Sequence, residues 1–500
     1  MSIATSSDIA PAPAPPLVKP LMLATGCVAL ADWLFYGWDV GISLALFLAA
    51  LGIAGVAGNG AHANSKTRTV MTAIFVAGLL ALIEDVSFLS VLLCSLTTAL
   101  FVLAMTAPAA TSWQRQLFEA ATVPFRGPFR FAGDLFAALM HMKAWTPGWL
   151  GWLVGWIVPL SIFALFLGLI SSANPLIEHR LMQIDPLVLF RHFELSRILF
   201  WLLIVCIVWP LIHRRIMPRR VRQAGQSVAA ALPAGPDYLL GVQAMSRSLV
   251  LFNALFALQS GLDLTYLWGG ASLPNGMTYA QYAHRGTNPL IVTALLAAGF
   301  VLIAMRPGGP AEQSRLIRPL VLAWIGQNIL LVISSIFRLD LYVAAYSLTH
   351  LRLAAFIWMG LVAAGLVLVL VQIKLRKPNS WLISANAVSL ALVLYACCFV
   401  NAPRLIASYN VEHSRENGGT GPRLDLRYLA SLGPQALPPV EGHVNKIPVL
   451  WPIARDFRRH YESRRHAADW RGWDFRTWRL DRYLANNPDL TQQPLDGDKG

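Results

Sequence analysis

Apolar runs close to the thickness of a bilayer's hydrocarbon core recur along this chain, and they leave it few folds to choose from. They fall near 21–36, 39–57, 69–83, 86–106, 148–171, 195–212, 242–262, 288–305, 316–336, 351–373 and 381–400. About 20 residues of helix cross a bilayer. Lipid offers the backbone no hydrogen-bond partners, so each run must satisfy its own N–H and C=O groups as a helix. Of the 500 residues, 56% are hydrophobic and 13% charged. A soluble chain carries about 25% charged residues, so much of this surface faces something other than water. The expectation is an all-α, polytopic bundle of about eleven spans.

Lysine and arginine between the runs orient the bundle. Alternate connections, together with Lys19, hold eighteen of them, including Lys66 and Arg68, Arg214, Arg215, Arg219, Arg220 and Arg222, and Lys374, Arg376 and Lys377. The opposite connections hold six: Arg180, Arg191, Arg197, Arg285, Arg338 and Arg352. Cations stay on the cytoplasmic side. This predicts a cytoplasmic N-terminus and an extracytoplasmic C-terminus. The formal charge of +14 therefore reports orientation, and nucleic acid is not an expected partner. The five cysteines all lie inside apolar runs, which suits buried thiols better than a disulfide framework.

The domain map follows from composition. Residues 1–20 read as a disordered Ala/Pro/Ser leader, 21–400 as the bundle and 401–500 as a small helical tail outside. Within the bundle, 112–146 mixes phenylalanines with basic residues and reads as a cytoplasmic amphipathic helix on the membrane, broken at Pro124 and Pro128. The basic connection 213–241 contains a flexible Ala/Gly/Pro linker. In the tail, Leu424 to Leu432 has helical spacing and stops at Gly433-Pro434. A second helix after Pro452 places Ile453, Phe457 and Tyr461 on one face. The run from Asp469 to Arg479 alternates aromatics with arginines and is expected to pack on outer loops or at the membrane surface.

Polarity inside the spans is sparse and neutral. Asn253, Gln259, Gln327 and Asn328 are the intramembrane candidates, either tying helices together or lining a solute path. The outer face is richer. One connection carries Tyr282, His284 and Arg285. The next, 337–352, carries Arg338, Asp340, Tyr342, Tyr346, His350 and Arg352. On a continuous helix Arg338, Tyr342, Ala345, Thr349 and Arg352 share one stripe, and Asp340 is placed to cap the helix that follows. Two arginines and a tyrosine on one face suit a phosphate or carboxylate. They suit anchoring at the headgroup level equally well. No histidine pair has the spacing of a zinc helix; no cofactor, metal or catalytic constellation is expected.

Four stretches together resemble a family of bacterial polytopic membrane proteins, domain of unknown function 4173, related to 4153. They are MTYAQYAHRG (277–286), FRLDLYVAAYSLTHLR (337–352), IASYNVEH (406–413) and LDLRYLASLGPQALP (424–438). The resemblance implies a multi-span inner-membrane protein and no activity. The residues then favour a non-enzymatic protein that recognises an envelope component or a membrane-protein partner, besides contacting the bilayer. A small-solute permease and an enzyme acting on a lipid-linked substrate are the competing readings.

Overall fold

The computed structural model describes residues 18–107, 113–142, 194–214, 242–265, 316–465 and 469–488, with isolated positions between 155 and 163. Among the described residues all regular structure is helical. The chain divides into two compact units, 1–217 with 468–475, and 218–467 with 476–500.

The first unit contains α1 (Val18–Phe35), α2 (Ile42–Asn59), α3 (Ser65–Glu84), α4 (Phe88–Thr106), α5 (Trp113–Met142) and α6 (Leu195–Ile212). The starts of α3 and α4 are written locally. Asn64 accepts from the Thr67 amide at 2.8 Å, and Ser87 and Ser90 form a reciprocal capping box. Leu34, Leu51, Cys94, Val102, Val208 and Ile212 form the sealed centre of its core. Toward one end, α1 and α6 are joined by Arg197, whose Nε donates to Asp32 at 2.8 Å. Trp201 donates to the same carboxylate at 2.8 Å.

Helix α5 runs unbroken through Pro124 and Pro128, contrary to the expected breaks. Its packed face explains how the helix is held there. Gly127 lies against the Cys206 carbonyl, where an added Cβ would come within 2.0 Å. Phe131 stacks edge-on against Trp209. The opposite face leaves Phe118, Phe125, Phe129 and Phe136 exposed.

The second unit contains α7 (Val242–Asp263), α8 (Ile317–Tyr346), α9 (His350–Leu375), α10 (Asn379–Phe399), and then α11 (Ala402–His413), α12 (Leu426–Ser431), α13 (Leu437–Glu441), α14 (Trp451–Arg465) and α15 (Phe475–Asn486). One apolar cluster joins α7, α8 and α9 around Leu249, Val321, Trp324 and Ile325. A second cluster gathers α11 to α15 around Ile406, Leu429, Leu437, Leu450 and Phe457. It also takes in Val343 and Leu348 from the end of α8 and the turn after it. Ile453 and Tyr461 pack against this second cluster, on the face the sequence assigns them.

Seven helices are long and apolar enough to cross a membrane: α1–α4 and α8–α10. Helices α6 and α7 coincide with two further expected spans, but α6 supplies a shorter apolar helix and α7 is less apolar. The expected spans 148–171 and 288–305 lie outside the described residues, as do 1–17 and the linker 221–236. Among the described residues, seven of the eleven expected spans are present as such helices.

Candidate functional site

The outer-face connection 337–352 is mostly helix. Helix α8 continues ten residues beyond the expected end of its span, to Tyr346. At about 1.5 Å per residue, its 30 residues measure about 45 Å, well beyond a hydrocarbon core of about 30 Å. The helix then stops abruptly. Ser347 adopts φ +69°, a left-handed conformation, and the chain turns into α9. Thr349 caps α9 by accepting from the Arg352 amide at 3.4 Å. This corrects two expectations. The five-residue stripe is broken at Ser347, and the cap is Thr349 rather than Asp340, which lies inside α8.

Both arginines of this connection are committed. Arg338 is buried and ion-paired with Asp263 at the end of α7. Gln259 donates to the same carboxylate oxygen at 3.0 Å. Arg352 reaches back to donate to the Tyr346 carbonyl at 2.5 Å and to the Ser347 carbonyl. Its guanidinium also lies over the Tyr342 ring at 4.5 Å. A helix C-terminus leaves carbonyls without intrahelical partners, and a cation there gains from the helix dipole as well.

The same device recurs. Arg318 donates to the Ile373 carbonyl at the end of α9, 3.1 Å. Arg476 donates to the Cys398 carbonyl at the end of α10, 2.8 Å. In the first unit Arg214 donates to the Leu103 carbonyl at the end of α4, 3.3 Å, while its other nitrogen pairs with Glu119 at 3.1 Å.

The turn after α8 is also the seat of the tail. Asn410 of α11 brackets Leu348, its amide oxygen accepting from the Leu348 amide at 2.6 Å and its nitrogen donating to the Leu348 carbonyl at 2.9 Å. The Tyr428 hydroxyl accepts from the His350 amide at 3.0 Å and lies 3.1 Å from His350 Nδ1. Around this seat a cleft of about 100 Å³ opens between the end of α8, the end of α11 and the loop at 420–422. Val343, Ala344, Ser347, Tyr409, His413 and Thr420 line it. His413 stacks on Tyr409 at 4.2 Å, and its Nδ1 lies 2.9 Å from the Tyr409 carbonyl. A carbonyl only accepts, so Nδ1 carries a proton, and in the neutral imidazole Nε2 is then an acceptor. Burial, and then the Asp340 charge, push the Tyr409 hydroxyl above the ordinary tyrosine range.

The remaining predicted residues are spread out. Tyr342 and Tyr346 stack on each other at 4.9 Å. Tyr282, His284 and Arg285 lie outside the described residues. Of the intramembrane amides, Asn253 donates to the Leu249 and Leu320 carbonyls at 2.8 and 3.0 Å, and Gln327 donates to the Asn253 carbonyl at 3.1 Å; the two link α7 to α8. Asn328 bonds back to Trp324 in its own helix. Among the described residues, no three His, Cys, Asp or Glu side chains come together as metal ligands do.

Sequence reasoning did not single out Asn410, Tyr409, His413 or Tyr428. Their signal was present, because all four sit in the IASYNVEH and LDLRYLASLGPQALP stretches. No spacing rule pairs those stretches with residue 348.

No curated protein and no solved structure matches the chain. The model of a family described as a domain of unknown function, DUF4153, matches residues 71–442, which take in α4, the spans of the second unit and the tail as far as α13. The chain belongs to that DUF4153 family.

Proposed function

We propose that this multi-pass membrane protein is a non-enzymatic recognition or regulatory component of the cell envelope, and that the tail seated on the α8–α9 turn is its reading head. The observation that supports this most is the seat itself. Two side chains of the tail hold the backbone of the turn at Leu348 and His350, beside an open cleft. Sidedness belongs to the same proposal. The lysine and arginine bias puts the N-terminus in the cytoplasm of a bacterial inner membrane and the tail outside. Kinship to the related domain of unknown function 4173 is a further part of this proposal, supported by the four quoted stretches.

The test is solute flux. Vesicles carrying the purified protein are expected to show no saturable transport above empty vesicles across sugars, amino acids and inorganic ions. Robust saturable flux would replace recognition by the second reading, a permease. One observation favours that reading: the Asn253 and Gln327 side-chain oxygens and the Trp324 indole nitrogen are buried in the α7–α8 contact without hydrogen-bond partners. Flux lost in Asn253→Ala and Gln327→Ala variants that still fold would place the path there.

A further inference from the structure

The cleft beside the tail's seat has a one-sided chemistry. Its lining includes no lysine or arginine. Among the described residues the hydroxyls of Ser347, Tyr409 and Thr420 have no hydrogen-bond partner, and with His413 Nε2 they can supply four acceptors. Two helices, α8 and α11, end at the cleft and bring the negative ends of their dipoles to it. Asp340 lies one turn before Val343 and Ala344 on α8, is exposed, and acts electrostatically on Tyr409. Two guanidiniums that reach lining residues are committed to backbone: Arg352 to the Tyr346 and Ser347 carbonyls, and Arg415 to the Gly421 carbonyl at 3.0 Å. An anion entering here would find hydroxyl donors but no lysine or arginine in the lining, with the Asp340 charge against it.

We propose that this cleft binds a primary ammonium group, three N–H donors meeting the hydroxyls of Ser347, Tyr409 and Thr420 or His413 Nε2, with Asp340 supplying the counter-charge. The cleft, of about 100 Å³, is the size for one small headgroup. Both a free small amine and an aminoethyl phospholipid headgroup carry this chemistry. The proposal rests on the recognition reading and names the class of what the tail recognises.

The experiment uses the full chain in nanodiscs, with hydrogen exchange read at the Gly419 and Gly421 amides, which bond to Ser414 and His413 carbonyls at the cleft's edge. In discs of phosphatidylcholine and phosphatidylglycerol, ethanolammonium chloride is titrated in, with choline chloride as the control that has no N–H. A second set of discs contains phosphatidylethanolamine and no free amine. Protection at the two amides is expected to rise severalfold with ethanolammonium, with the lipid, or with both, and not with choline. The responding arm identifies the source.

Asp340→Asn is expected to weaken the response at least tenfold. Ala344→Phe, which fills the cleft, is expected to abolish it. Protection at the Leu348 amide shows in each variant that the tail is still seated. No response in either set of discs, an equal response to choline, or an undiminished response in a seated Asp340→Asn protein each overturns the proposal. Failure here leaves the flux result standing, and saturable flux leaves this result standing, so the two readings fail separately.

Discussion

At the scale of single residues, the polar side chains of the second unit serve mainly to satisfy backbone. Asn410 is the clearest case. Replacing it by alanine strands a buried N–H and a buried C=O at Leu348, each costing about 1–3 kcal/mol when left unmade. Asn410→Ala is therefore expected to lower the midpoint of tail unfolding and to expose the 414–424 loop to trypsin. Asn410→Asp keeps the acceptor but sets a charged oxygen against the buried Leu348 carbonyl, and is expected to cost more than the lost donor alone. Arg352→Lys removes a planar donor set and its contact with Tyr342; a loss of about 1 kcal/mol is expected in thermal unfolding.

Tyr483 gives a pH signature. Burial first, then the Glu441 charge and hydrogen bond, push its hydroxyl up to about 12. The folded state thus holds a proton that the unfolded chain releases near pH 10. Stability from this site is complete below that pH and is lost as pH rises toward 12. Tail unfolding followed between pH 9 and 12 is expected to show the loss, and Tyr483→Phe to remove this site's part of it.

At the scale of elements, legibility depended on range. Seven of the apolar runs, the Gly433 stop and the Ile453–Phe457–Tyr461 face follow from local periodicity and are recovered among the described residues. The extension of α8 was not legible, because Phe337 to Tyr346 mixes charge and apolarity in a way that suits a loop as well as a helix. What decides it is tertiary: Asp263 takes Arg338, and the tail covers Val343. The arginine caps were hidden for the same reason. A sequence shows that a helix ends, but not which distant guanidinium arrives at its carbonyls.

The first unit offers an element-scale prediction. Gly41 and Gly472 meet backbone to backbone, and a Cβ on Gly41 would come within 2.3 Å of the Gly472 carbonyl carbon. There the Ile42 amide, at the uncapped start of α2, donates to the Trp473 carbonyl at 2.7 Å. Arg471 lies between Trp38 and Trp33 at 4.5 and 4.9 Å and pairs with Asp469. Gly41→Ala is expected to release the 469–473 segment, read as faster exchange at the Ile42 amide and a shift in tryptophan emission.

At the scale of the whole molecule, orientation carries the most weight. A reporter enzyme active only in the cytosol, fused after Gly500, is expected to be silent, and a periplasm-active reporter at the same point is expected to work. A positive cytosolic signal would turn the cleft toward the cytoplasm and remove the envelope from its list of partners.

The last described stretch of chain also sets an order of events. Residues 469–473 complete the start of α2, yet more than four hundred residues separate them from Ile42. A ribosome will have emitted the seven described spans before the tryptophan clasp exists, so the first amide of α2 stays open until residues 469–473 emerge. A nascent chain arrested before Trp470 should therefore exchange that amide freely, and one released after Gly500 should not. Completion of the start of α2 thereby waits on chain made more than four hundred residues later.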